Sequence, residues 1–224
     1  MSVTELSAST QTYLKSLWVL QEWSDEPITA SALAARAGVS LSSASDAVRK
    51  LAKQGLVDHT RYGAIQLSDT GRGYALEMVR RHRLLETFLV QVLDYSWDEV
   101  HDEAEILEHA ISDRLLERID AHLGHPARDP HGDPIPDGSG AIDLPATILL
   151  TDLDPGTRGR VERISDADPS LLQHLEQLGL TIGADVELAA GAPFSDAAQV
   201  QVVGGGSAPL GRAATDAVRV SVQR

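Results

Sequence analysis

Residues 124–140 hold four prolines and four glycines in seventeen positions, with Asp129, Asp133 and Asp137 among them. Proline removes a backbone donor and glycine opens left-handed conformations, so so dense a stretch sustains neither helix nor strand. It is a connector, and it divides the chain into two parts of different periodicity. Before it, apolar residues recur at helical spacing. After it, residues 157–164, 184–189, 198–203 and 217–222 are Val-rich with partial two-residue alternation, clearest at Val218, Val220 and Val222. Gly183, Gly191 and Gly204–Gly206 punctuate these runs. The pattern predicts a small, barrel-like β domain with one short helix near residues 170–178.

In the first part, residues 9–24 place Tyr13, Leu14, Leu17, Trp18 and Leu20 or Val19 on one face of a helix that Pro27 ends. A second, short helix over 30–37 opens on Thr29 or Ser31 and closes at Gly38. Serines at 40, 42 and 43 cap a third helix that runs to about Gln54 and stops at Gly55. Two short strands follow around a tight turn at Arg61-Tyr62-Gly63, and Ser68-Asp69-Thr70-Gly71 opens a long helix to about Leu93. One further helix is expected over 97–122.

Helix, short helix, glycine turn, helix and hairpin is the order of a winged helix-turn-helix. In that arrangement the third helix buries Ala44, Val48 and Leu51. Ser40, Ser42, Ser43 and Asp46 are then candidates for base edges or ordered water in the major groove. Arg49, Lys50, Lys53 and, at the hairpin tip, Arg61 are candidates for the DNA backbone, with the minor groove also open to Arg61. Three small helices and a hairpin also suit a protein-interaction domain, so charge has to arbitrate. The chain carries 19 Lys and Arg against 33 Asp and Glu, a net −14. Residues 1–83 hold ten of those basic and eight of those acidic residues, a local balance of +2, leaving −16 for the remainder. A phosphate footprint therefore belongs to the N-terminal third.

The acidic remainder suits cations. With no Cys in the chain, disulfides, thiolate zinc sites and cysteine nucleophiles are excluded, and a metal must be held by oxygen and imidazole nitrogen. His101, Glu105, Glu108 and His109 fall at i, i+4, i+7 and i+8, one face if the segment is continuously helical. His82 and Glu86 form a second i, i+4 pair on the preceding helix. Facing one another, the two sets would hold one or two divalent ions, and the donor types suit Mn(II), Fe(II) or Zn(II). No His-Glu-x-x-His signature and no nucleophile paired with a base is present, so an enzyme is not expected. No apolar run reaches membrane length and no leader pattern opens the chain, which points to the cytoplasm.

Several stretches carry a resemblance to a known family. They are Thr12-Tyr13-Leu14-Lys15, Gln54-Gly55-Leu56-Val57, Leu67-Ser68-Asp69-Thr70-Gly71, Arg81-His82-Arg83-Leu84-Leu85-Glu86, the run from Val100 to His109, and Asp129-Pro130-His131-Gly132-Asp133-Pro134-Ile135-Pro136. Over nearly its whole length the chain resembles the diphtheria toxin repressor family of metal-dependent regulators. The resemblance implies a mainly α protein with a β C-terminal part. Its divisions would be a winged helix-turn-helix over 1–72, a helical dimerisation and metal-binding domain over 73–124, a linker over 125–146 and an SH3-like small β-barrel over 147–224.

By the same resemblance, Glu105, Glu108 and His109 form the main regulatory site, and His82, Glu86 and His101 a neighbouring one. In manganese regulators His82 joins a binuclear pair. Iron-responsive members carry Cys at the position of Glu105 and manganese-responsive members carry Glu, so the implied ion is Mn(II), with Fe(II) the alternative. A family ligand in the first helix falls on Thr12. A carboxylate lent by the C-terminal domain falls near Asp168, although the Gln that follows it in the family falls on Leu171. The function implied is that of a homodimeric repressor binding inverted-repeat operators of metal-homeostasis genes. Leu84, Leu85, Phe88, Leu89 and Val92 offer a stripe for the dimer or for the core. A metal-independent winged-helix protein with a peptide-binding β domain is the remaining reading.

Overall fold

The computed structural model describes residues 3–59, 63–189 and 197–223. They divide into two compact units. One comprises residues 1–82, 106–116 and 136–141, the other residues 83–105, 117–135 and 142–224.

In the first unit, α1 (Ala8–Trp23), α2 (Ala30–Arg36) and α3 (Leu41–Lys53) begin on Ser7, Thr29 and Ser40, whose hydroxyls accept from the backbone N–H three residues on. Gly38, at φ +63°, takes the left-handed conformation that the turn between α2 and α3 requires. Strands β1 (Val57–His59) and β2 (Ile65–Leu67) pair antiparallel, and Ile65 N–H donates to the Ile28 carbonyl at 3.0 Å. Leu14, Leu17, Leu33, Ala44, Val48, Leu51 and Ile65 are buried, which closes the three helices and the hairpin over one core. Helix α4 (Asp69–Leu93) starts where expected. The glycine in its first turn is obligatory, because a Cβ on Gly71 would lie 1.9 Å from the Leu56 carbonyl oxygen.

The single helix expected over 97–122 is two, α5 (Val100–Leu107) and α6 (Asp113–His122). Ser112 starts the second: its hydroxyl and its carbonyl both accept from Leu115 N–H. Buried Arg81 fixes the intervening turn by donating to the Ile111 carbonyl at 2.8 Å and pairing with Asp113. Glu108 and His109 therefore sit in the turn after α5 and not on its face.

In the second unit six antiparallel strands run in the order β3-β8-β4-β5-β6-β7. They are β3 (Ile148–Leu149), β4 (Arg158–Ile164), β5 (Asp185–Ala189), β6 (Ala198–Val202), β7 (Ser207–Leu210) and β8 (Val218–Val222). Helix α7 (Pro169–Gln177) and the short α8 (Arg212–Thr215) complete the unit. Val218 and Val220 face inward with Leu150, Val161, Ile164, Leu172, Leu175, Val186 and Val200. The fold class is thus the expected one. β3 and β7 carry too little alternation to be read from sequence, and β7 tolerates Pro209 because it lies at the sheet edge.

Of the apolar stripe on α4, Leu84, Leu85 and Leu89 are buried within their own chain, while Val92 and the neighbouring Leu93 stay exposed. Among the described residues no helix is long and apolar enough to cross a membrane.

Candidate metal centres

In the first unit α1 turns Gln11, Thr12 and Lys15 toward Glu108, His109 and His82. Glu108 is fully buried. Its Oε2 lies 2.6 Å from His82 Nδ1 and 2.6 Å from Lys15 Nζ. Burial would raise the Glu108 pKa, but the charges of Lys15 and His82 and their hydrogen bonds outweigh it and hold the carboxyl below its ordinary range. The other oxygen, Oε1, is 3.7 Å from His109 Nε2 and has no hydrogen-bond partner among the described residues. His109 Nε2 also lies 3.2 Å from Thr12 Oγ1. On the far side of the ring, Nδ1 lies 2.7 Å from Gln11 Oε1.

In the second unit Glu86 lies between two histidines. Its carboxylate is 3.5 Å from His101 Nδ1 and 3.9 Å from His131 Nδ1. His101 Nδ1 is also 2.8 Å from Asp166 Oδ2, and His101 Nε2 is 3.8 Å from Glu105. Burial would lower the His101 pKa, yet hydrogen bonds and charge from Asp166 and Glu86 raise it to about 10. For His131 burial again pulls down, and the charges of Glu86, Asp129 and Asp166 lift it above the ordinary imidazole value.

His131 is held from three sides. Its ring stacks on Trp97 with centroids 5.8 Å apart, and Nε2 donates to the Trp97 carbonyl at 2.6 Å. A carbonyl can only accept, so Nε2 carries the proton and Nδ1 is the nitrogen turned toward Glu86. That Nδ1 is buried and has no hydrogen-bond partner among the described residues. Asp129 Oδ1 accepts from the N–H groups of His131 and Asp133, both at 2.9 Å, which curls the loop. Gly132, at φ +82°, completes it; a Cβ there would lie 2.0 Å from the Glu162 carbonyl oxygen. Arg83 donates to the Pro134 carbonyl at 2.6 Å and pairs with Asp133 at 3.1 Å, and Asp133 also pairs with Arg163.

Both clusters fit a divalent cation. Two donors that each bind one first-row ion at about 2.1 Å lie roughly 3–4 Å apart. That is the spacing of Glu108 Oε1 and His109 Nε2, and of Glu86 and His131 Nδ1. A buried carboxylate oxygen and a buried imidazole nitrogen left unsatisfied are the groups a cation would satisfy.

Within the first unit Glu108, His109 and His82 gather with Thr12. Within the second, Glu86, His101 and Glu105 gather with Asp166 and His131. Sequence reasoning passed over Asp129, His131 and Asp166. A histidine between Asp129 and Asp133 inside a Pro/Gly connector was the available signal. Asp168 has a different role: its carboxylate accepts from Ser170 and Leu171 N–H as the N-cap of α7, and Asp166 is the residue beside His101.

On α3, Ser40 Oγ lies 2.8 Å from Ser42 Oγ and 2.9 Å from Ser43 Oγ at the exposed helix start. Asp46 and Arg49 form an exposed ion pair, and Lys50 and Lys53 are exposed beside it. Leu41, 54% exposed at the first turn, is an apolar side chain on this surface that the sequence did not flag. Arg61 lies outside the described residues.

Residues 5–65 match the family described as iron dependent repressor, N-terminal DNA binding domain, and residues 68–137 match its metal binding and dimerisation domain. Residues 148–222 match the FeoA domain. The iron-dependent repressor IdeR of Mycobacterium leprae is 31% identical over 198 residues, covering 81% of this chain and 84% of that protein. The chain belongs to the diphtheria toxin repressor family. The diphtheria toxin repressor of Corynebacterium diphtheriae is 33% identical over 194 residues, 82% of this chain and 85% of that one. A solved manganese-dependent transcriptional repressor in complex with manganese superposes with a TM-score of 0.90 at 50% identity, over 96% of this chain and 100% of the other. The manganese regulator SloR gives 0.82 at 31% identity, over 96% and 98%. Diphtheria toxin repressor family proteins are metal-dependent transcriptional repressors, not enzymes, and this member carries the family's DNA-binding and dimerisation domains.

Proposed function

We propose that this diphtheria toxin repressor family member is activated by Mn(II) and then binds inverted-repeat operators of metal-homeostasis genes as a homodimer. The observation that carries the reading is the pairing of unsatisfied Glu108 Oε1 with His109 Nε2 in a site made of oxygen and nitrogen donors. A chain without Cys offers no thiolate, and carboxylate with imidazole suits Mn(II). The structural relatives named as a manganese-dependent transcriptional repressor and a manganese regulator point the same way.

Glu108, His109, His82 and Thr12 would hold one ion; Glu86, His101, His131 and Asp166 would hold another, with Asp129 shaping the loop and Glu105 beside His101. When bound, the ion supplies positive charge to buried carboxylates and bonds between their elements. The chain's own residues convert that into DNA binding. Thr12 and Gln11 lie on α1, and α1 packs on α3 within the winged-helix core. Fixing α1 to Glu108 and His109 therefore steadies the helix that presents Ser40, Ser42, Ser43 and Asp46 to the bases. Arg49, Lys50 and Lys53 serve the phosphates. Two copies related by a twofold axis read a site with the same symmetry. The ion shifts this equilibrium only as far as it prefers the DNA-competent arrangement.

The second reading is an Fe(II)-activated repressor of the same build, favoured by curated relatives that are named iron-dependent. Anaerobic operator binding by chelator-stripped protein, at matched free Mn(II) and Fe(II), separates the two. Activation at lower free Mn(II) than Fe(II) is expected. Activation by Fe(II) at the lower concentration would overturn the manganese assignment.

A further inference from the structure

Lys15 is an unusual occupant for a metal centre. Its side chain is almost wholly buried, on the inward face of α1. Its Nζ lies 2.6 Å from Glu108 Oε2 and 3.2 Å from His82 Nδ1. Glu108 and His82 are both ligands to the cation in the reading above, on which this inference rests. An ammonium has three donor hydrogens and no lone pair, so it contributes nothing to a metal and can only engage the metal's ligands.

We propose that Lys15 is a tethered internal cation that competes with the divalent ion for Glu108 and His82 and so sets the metal concentration at which the protein responds. Two effects work in the same direction. A hydrogen bond from an ammonium to a carboxylate is among the stronger kinds, and an ion that takes Glu108 Oε2 must break it. An ammonium that stays nearby repels a second positive charge in a poorly solvated site. Without metal the same contact is stabilising, because a fully buried carboxylate with no cation carries a heavy desolvation cost. Lys15 thus makes the metal-free state durable and the metal-bound state harder to reach. Glu108 Oε1 faces away from this arrangement, toward His109, and remains the oxygen by which an incoming ion first engages the carboxylate.

The test compares the full-length wild type with Lys15→Met and Lys15→Gln by calorimetric Mn(II) titration, and by thermal unfolding with and without Mn(II). Lys15→Met removes the charge at similar length. Lys15→Gln also removes it but keeps one donor for Glu108, and so guards against a variant that fails to fold. Mn(II) affinity is expected to rise about tenfold or more in the neutral variants. Their melting temperature without metal should be lower and their stabilisation by Mn(II) larger. Equal or weaker affinity, with melting lowered equally in both conditions, would make Lys15 a structural residue and overturn the inference while leaving the metal-site reading intact. Binding by the variants but not by wild type supports the inference. No binding by any of the three proteins overturns both readings.

Discussion

His109 donates through Nδ1 to Gln11 Oε1 across 2.7 Å, and that bond decides which imidazole nitrogen faces Glu108. The Gln11 amide cannot turn over, because its Nε2 donates to the carbonyls of Val3 at 2.8 Å and Leu6 at 3.2 Å. Its oxygen must then accept, Nδ1 carries the proton, and Nε2 keeps its lone pair beside Thr12 and Glu108. Partners that orient a metal-binding histidine typically contribute about 10–100-fold to affinity. Gln11→Leu is therefore expected to weaken Mn(II) binding by about that factor in a calorimetric titration. Unchanged affinity would mean that the ring is held in place by something other than Gln11.

The His101 pKa, raised to about 10 from 6.5, sets a pH dependence with a definite sign. A folded-state value above the unfolded one stabilises the metal-free protein fully below pH 6.5, and that contribution disappears as pH rises through 10. Chemical unfolding of metal-free protein should thus show declining stability over this window, with a shallower decline in His101→Gln. The same proton must leave when a cation takes the ring nitrogen. Mn(II) titrations at neutral pH in buffers of different ionisation enthalpy should report proton release, and less of it in His101→Gln. An identical pH profile in the variant would exclude His101 as the source.

Gly132 joins the connector to the second cluster. A Cβ would meet the Glu162 carbonyl at 2.0 Å and would also force a side chain into a positive-φ conformation. Gly132→Ala is expected to cost about 1–3 kcal/mol for backbone strain alone. It should also displace His131 from Glu86, so that the Mn(II) capacity of the second unit falls while Glu108 and His109 keep theirs. Stoichiometry by elemental analysis after dialysis measures this directly; full capacity in the variant would contradict the role given to the loop.

The winged helix was legible in the sequence because its signals act over a turn or two of chain. Ser7, Thr29 and Ser40 cap the helices they immediately precede, and Gly38 makes a turn that any other residue would strain. The break after Leu107 was not legible in the same way. It depends on Arg81, about thirty residues earlier, donating into the turn. For that reason His101, Glu105, Glu108 and His109 read as one face of a helix when the last two have left it. The seat of His131 was hidden for a similar reason. Composition identified residues 124–140 as a connector, but what shapes it are Arg83 and Arg163 converging on Asp133 from α4 and β4. Asp166 and Asp168 are equally acidic in sequence, and only the onset of α7 assigns one to the cap and the other to His101.

Lys50 is exposed on α3 and is assigned to a phosphate. Lys50→Ala should weaken binding about equally for operator and unrelated DNA, and should reduce the slope of log affinity against log salt by about one. Fluorescence anisotropy across a salt series checks this. A loss confined to the operator would reassign Lys50 to a base.

In the proposed function, occupancy of the Glu108–His109 centre licenses DNA binding. The most direct measurement is operator affinity of chelator-stripped wild type and Glu108→Gln, each with and without saturating Mn(II). Wild type is expected to bind tightly only with Mn(II), and Glu108→Gln to stay weak in both conditions. Tight binding by wild type without metal, or by Glu108→Gln at the wild-type level, would contradict the proposed function.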